Sequence, residues 1–246
     1  FRPGEVTIWA GVNGQGKSLV MGQAALWMSR FYRIAVASFE MPADATVARM
    51  LRQAAGCDSP GDVLLEKFTS DLNLFIYDHV GSMKPDTVLG MVHYLAVEKN
   101  IRHIIIDSLV KCGVNSEKNE PQKDFMNRLQ QAAKEHQIHI HLVHHVRKGS
   151  DETITPDKFS VKGAGVLVYL TDNLLLISRK MKKIRDKMNQ IEVDPGSADC
   201  FIDILKQRHG EWDGRLSFWW HEESNQWIEK PGDPSMVLFD LTEKAG

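Results

Sequence analysis

Val6-Thr7-Ile8-Trp9-Ala10, running directly into Gly11-Val12-Asn13-Gly14-Gln15-Gly16-Lys17-Ser18, is an apolar, strand-forming segment followed by the spacing G-x-x-x-x-G-K-S. Leu19 to Ser29 then has the composition of a helix. This order of strand, glycine-rich bend and helix is a phosphate cradle: the glycines let several backbone N–H groups converge on one anion, and the positive end of the helix adds to the attraction. Lys17 is placed to reach the terminal phosphates of a nucleotide, and Ser18 to hold the accompanying magnesium. Gly11, Asn13, Gly14, Gln15, Gly16, Lys17, Ser18 and Leu19 are thus the candidate nucleotide contacts.

Outward from this loop, apolar runs alternate with amphipathic ones. Arg33 to Phe39, Leu72 to Tyr77, Arg102 to Leu109, Gln137 to His145 and Leu174 to Ile177 read as strands. Their nearly unbroken apolar character is expected of a parallel sheet covered on both faces. Pro42 to Ala55, Val63 to Phe68, Pro85 to Lys99 and Phe125 to Glu135 read as helices. Val114 to Lys123 and Val146 to Lys162 are polar and read as loops, and Ser178 to Ala198 as a charged connection. Cys200 to Lys206 and Leu216 to Trp220 read as a hairpin. The fold expected is an α/β nucleotide-binding domain with a mostly parallel twisted sheet, helices on both faces and a C-terminal β-hairpin. It spans 1–230, with 231–246 as a frayed tail.

At 246 residues, 43% apolar and 25% charged, the chain has the make-up of one ordinary globular domain. A net charge of −2 provides no overall pull toward nucleic acid or a membrane surface, so any such contact must be local. Cys57, Cys112 and Cys200 have no zinc or disulfide spacing, which implies a reducing compartment. No apolar run is long enough to span a bilayer. The chain starts at Phe1, and the expectation is that it was cut from something longer.

Ligands of parallel sheets sit at the carboxyl ends of the strands, and Glu40, Asp107 and His145 all fall there. Asp107 closes an apolar strand as a magnesium carboxylate would. Glu40 is the candidate base for the attacking water. His144 and His145 read as a hydrogen-bonding pair with one member near the nucleotide, and His139 and His141 as structural. Lys206 and Arg208 at the hairpin are either solvated charge or a reach into a neighbouring subunit's nucleotide. Arg179 to Lys187 holds six basic residues against one acid and reads mainly as a solvated loop, with a DNA or partner contact as the alternative. Trp219, Trp220 and Trp227 read mainly as core and subunit-contact residues, with stacking on the nucleotide base or on DNA as the alternative.

Taken together, these motifs resemble the RecA-like motor domain of the hexameric replicative DNA helicases: DnaB-like enzymes, phage primase-helicases and Twinkle-like helicases. Pro3 to Ser18 is similar to the family's first motif, Ser38-Phe39-Glu40-Met41 to the segment with its hydrolytic glutamate, and Ile104 to Ser108 to its magnesium motif. His145-Val146-Arg147-Lys148 is similar to the phage and mitochondrial third motif, whose His senses the γ-phosphate. Lys162-Gly163-Ala164-Gly165 resembles the fourth, although the family usually has Arg at the first position and Ser is common at the third. Lys206-Gln207-Arg208 resembles the arginine-finger hairpin.

The resemblance implies a homo-hexameric ring that hydrolyses ATP, or another NTP or dNTP, with Mg2+ between subunits. Glu40, Lys17 and His145 would act from one side, and Lys206 and Arg208 from the other. Ser18 and Asp107 would hold the metal. Arg147, Lys148, Lys158, Lys162 and Gly163 would contact single-stranded DNA from a loop in the ring's channel. A primase domain or primase partner is further implied, as is a cytoplasmic location in a bacterium or phage-infected host, with the mitochondrial matrix as the alternative. A recombinase or switch ATPase on the same fold, and a non-catalytic loader, stay open at this point.

Overall fold

The structure is a computed structural model and describes residues 1–61, 65–66, 68, 73–114, 119–146 and 165–238. The strands are β1 (Val6–Gly11), β2 (Ile34–Ser38), β3 (Leu74–Ile76), β4 (His103–Asp107), β5 (His139–His145), β6 (Asn173–Arg179), β7 (Cys200–Gln207), β8 (Gly214–His221) and β9 (Gln226–Ile228). They form one sheet in the order β3-β2-β4-β5-β1-β6-β7-β8-β9. The first six are parallel, and β7 to β9 follow antiparallel. The helices are α1 (Lys17–Ser29), α2 (Ala43–Ala55), α3 (Pro85–Val97), α4 (Asn119–His136), α5 (Gly165–Leu170) and α6 (Met181–Met188).

Strand alternation builds a core on each face. From β1, Val6, Ile8 and Ala10 join Val92 of α3 and Met126 and Leu129 of α4 in one cluster. Trp9 points the other way, into a cluster with Met21 and Leu26 of α1 and Met50 of α2. In β4, Ile104 and Ile106 face the first cluster and Ile105 the second. Burial on both faces is why these strands are almost wholly apolar. All of β1, β2 and β4 is buried, so their carboxyl ends are held in fixed register beside one another.

Polar residues in the middle of the sheet are paired among themselves. Trp9 donates its indole N–H to His141 Nδ1 at 3.2 Å. The His141 proton therefore sits on Nε2, which meets His103 Nδ1 at 3.2 Å. His139 donates from Nδ1 to the Arg2 carbonyl at 2.7 Å, and its Nε2 lies 2.8 Å from the Thr7 hydroxyl. The structural reading of His139 and His141 thus corresponds to real bonds. Burial holds His103 and His139 down at about 4, and His141 well below its ordinary value.

This trio makes the fold sensitive to acid. The folded imidazoles are neutral and bind protons more weakly than the unfolded chain, so their contribution is complete above about pH 6.5 and is lost as pH falls from there toward 4. Each titrating imidazole accounts for about 1.4 kcal/mol per pH unit. The urea midpoint should therefore drop between pH 7 and pH 5, and a midpoint flat over that range would contradict the assignment.

Some expected elements differ. The segment read as a loop up to Lys123 is helical from Asn119, because Pro121 falls in the first turn, where its missing N–H is harmless. The 178–198 connection contains α6, whose Lys183 pairs with Asp199 at 2.8 Å and bonds the Ser197 carbonyl. The tail does not fray between 235 and 238. Gly56 ends α2 in a left-handed conformation, and the carbonyls left over there accept Ser235 Oγ and the Leu238 N–H. Leu238 is buried on that helix end. Half of the short helix read at Val63 to Phe68, the start of the Leu72 strand and residues 239–246 lie outside the described residues.

Candidate active site

The carboxyl ends of β1, β2, β4 and β5 surround a cavity of about 860 Å³. Gly14 and Gly16 hold φ of 77° and 79°, a region that side-chain-bearing residues rarely enter, and so allow the tight bend that leads into α1. Lys17, only 5% exposed, donates to the carbonyls of Gly11 and Val12 at 2.9 Å each. Burial lowers its pKa, and Asp107 and Glu40 oppose that. Gln15 accepts the backbone N–H of Arg179 through its side-chain oxygen, pinning the loop to the end of β6. Asn13 and Leu19 line the cavity.

Ser18 Oγ donates to Asp107 Oδ2 at 2.5 Å. Burial raises the Asp107 pKa, and the Ser18 bond opposes it. A hydroxyl and a carboxylate oxygen converging beside a lysine are an all-oxygen donor pair, the chemistry that a hard divalent cation requires.

Glu40, Ser108 and His145 close a triangle. Ser108 Oγ donates to Glu40 Oε1 at 2.7 Å, and His145 Nε2 lies 3.1 Å from both. Burial pushes the Glu40 carboxyl up, but the Ser108 bond together with His145 and Lys111 outweighs it, and the net direction is down. The carboxylate is thus ionised and oriented, as a base for a water molecule must be. Burial, with the charges of His145 and Lys17 nearby, holds His144 down at about 4.

Three residues of this site escaped the sequence reading as functional groups. Ser108 follows Asp107 directly, so its position was a usable signal. Arg49 lies on α2 among residues that look solvated; its guanidinium lines the cavity, and its buried Nε has no partner among the described residues. Burial lowers the Arg49 pKa against the pull of Asp107. Arg179 looked like part of a basic run, yet it ends β6, lines the same cavity and lies over Trp227 and Trp220 at 5.3 Å and 5.8 Å. Trp227 is buried beside the loop, near enough to Gly16 that a Cβ there would meet it at 3.2 Å.

Lys206 and Arg208 are not brought to this cavity. β7 runs antiparallel to β6, with Cys200 opposite Arg179 and Gln207 opposite Asn173, which puts both cations at the far end of the sheet. Arg147, Lys148, Lys158, Lys162 and Gly163 lie outside the described residues. No helix among the described residues is long and apolar enough to cross a membrane.

Comparison with known proteins follows the same lines. A search of curated protein sequences finds no match. The chain is similar in structure to a solved ATPase domain, with a TM-score of 0.74 and 17% identity over 93% of this chain and 86% of that one. It is likewise similar to a DnaB-like replicative helicase whose interactions with primase were studied, with a TM-score of 0.75 and 16% identity. That match covers 93% of this chain and 59% of the helicase, so the chain spans less than two thirds of its length. At these identities the likeness is one of fold: a mostly parallel sheet with helices, extended by antiparallel strands at its C-terminal side. The AAA domain family model matches residues 1–151, which contain the phosphate loop, Glu40, Asp107 and His145, and the chain therefore belongs to the AAA domain family.

Proposed function

We propose that this chain is a replicative-helicase motor domain. It hydrolyses a nucleoside triphosphate at contacts between copies in a ring, and uses the turnover to move along single-stranded DNA and separate duplex. The observation that carries this is a divided site. The phosphate loop, Glu40, Ser108, Asp107 and His145 converge at one end of the sheet, while Lys206 and Arg208 stand at the other. Within one copy the two ends cannot meet, so the site is completed only when a second copy docks head to tail and brings its Arg208 to the cavity. The neighbouring solved structures support the reading by their fold, and one of them names primase as its partner.

In this reading the backbone N–H groups of the loop and Lys17 bind the phosphates, and Arg49 supplies a further cation beside Asp107. Ser18 and Asp107 would hold Mg2+, which neutralises charge on the terminal phosphates when bound. Glu40 accepts the proton of the attacking water, and Ser108 and His145 hold the Glu40 carboxylate in place. His145, in contact with the base, would register the γ-phosphate and pass that state to the segment after it. Arg147, Lys148, Lys158 and Lys162 there would bind DNA phosphates without regard to sequence. A primase domain or partner belongs to the same reading.

The test is strand separation on a forked substrate with ATP and Mg2+. Unwinding that requires hydrolysis, and that Lys17→Ala abolishes, is expected. DNA-stimulated turnover without any strand separation would favour the recombinase or switch use of the fold. Neutralising Arg147, Lys148 and Lys162 together should remove DNA stimulation while leaving basal nucleotide binding intact.

Ser108 carries a separate expectation. Its hydroxyl favours the ionised form of Glu40, so Ser108→Ala should move the acid limb of the pH–rate profile to higher pH, and Ser108→Thr should restore it. An acid limb unmoved in Ser108→Ala would remove the hydroxyl from the mechanism.

A further inference from the structure

The two cations at the end of β7 differ in how they are held. An ammonium has three N–H donors, and Lys206 directs Nζ to three carbonyls of its own chain: Val168 at 3.1 Å, Tyr169 at 3.0 Å and Thr171 at 2.6 Å. Those carbonyls end α5, where a cation is favoured. Lys206 therefore has no donor left for a neighbouring copy while it caps this helix.

Arg208 is held at two points by one residue. Its Nη1 lies 2.6 Å from Asp172 Oδ1, and its backbone N–H donates to the Asp172 carbonyl at 3.0 Å. The other Asp172 carboxylate oxygen accepts the Val6 N–H at 2.8 Å, at the start of the strand that leads to the phosphate loop. The Asp172 side chain is 3% exposed and that of Arg208 is 39% exposed. A buried carboxylate anchored to β1 thus grips one corner of a guanidinium whose remaining donors stay accessible. Because releasing that corner would strand a buried charge, the grip is persistent. A guanidinium can be held through one nitrogen and bind a second, more distant group through the others, whereas a lysine's donors all share a single atom.

Resting on the reading of Arg208 as a residue that acts on a neighbouring copy, we propose that Asp172 is its positioning residue. Asp172 aims Arg208 at the neighbour's phosphates, Arg208 is the finger, and Lys206 serves α5 within its own subunit.

A double-mutant cycle on the full chain, at concentrations where it assembles, tests this, with thermal melts run in parallel. Asp172→Asn keeps the shape and an acceptor for Val6 but loses the charge. It should lower kcat on the order of tenfold to a hundredfold, as a misaimed group does, with KM unchanged. In the Arg208→Ala background the same change should have no further effect on kcat. Arg208→Lys, which leaves Asp172 in place, should fall close to Arg208→Ala, because all the donors of an ammonium sit on one nitrogen, which cannot rest against Asp172 and also span the distance to a neighbour's phosphates. Wild-type kcat in Asp172→Asn, or an equal loss in both backgrounds, would overturn the positioning role while leaving the finger intact. Wild-type kcat in Arg208→Lys would overturn the argument from shared donors. Unchanged turnover in Arg208→Ala would instead sink the trans-acting reading itself, and this proposal with it.

Discussion

Glu40→Gln is expected to reduce turnover by about 10²- to 10⁴-fold, the range associated with a positioned general base, while nucleotide affinity stays close to wild type. The substitution preserves shape and can still accept the Ser108 hydroxyl, so the triangle with His145 survives. What it removes is the capacity to take a proton. In the proposed mechanism phosphate binding resides in the loop and Lys17, which Glu40 influences through its charge. Steady-state turnover alongside titration with a fluorescent nucleotide separates the two effects. Turnover within a few fold of wild type would assign the base elsewhere.

Arg208→Ala is expected to lower turnover about a thousandfold or more, the scale on which an arginine supplied by a neighbour contributes to phosphoryl transfer. Because Arg208 stands at the opposite end of the sheet from the phosphate loop, nucleotide binding by the same copy should not change. Mixing offers a sharper test than loss. Lys17→Ala carries an intact Arg208, and Arg208→Ala carries an intact loop. Each alone should be inactive, yet mixed assemblies contain some interfaces with both wild-type halves, and turnover should return. Failure of the mixture to recover activity, with mixed assembly verified, would place Arg208 outside the trans site.

Those expectations draw on residues that were not equally visible beforehand. The phosphate loop declared itself because its chemistry is local: glycines at fixed spacing, a lysine and a serine after an apolar strand. Asp107 and Glu40 were legible for a related reason, since a carboxylate that ends a doubly buried strand has a destination set by the sheet. The helix at 119–136 was cut short in the sequence reading because Glu120, Pro121 and Gln122 have no apolar period, although a first turn does not need one. The docked tail was missed because Ser235 and Leu238 satisfy carbonyls of a helix far away in the chain, and nothing in Pro231 to Pro234 announces that partner.

The sequence by itself determined the alternation of strands and helices, the phosphate loop and the two carboxylates, because periodicity and spacing are properties of neighbours along the chain. Only the tertiary structure decided that Arg49 and Arg179 line the same cavity as the phosphate loop, that Ser108 joins Glu40 to His145, and that Lys206 caps a helix while Arg208 is gripped by Asp172. A charged side chain on a helix or strand end reads the same whether it faces water or a cavity. Which of the two it faces depends on the residues that the fold brings across from distant segments.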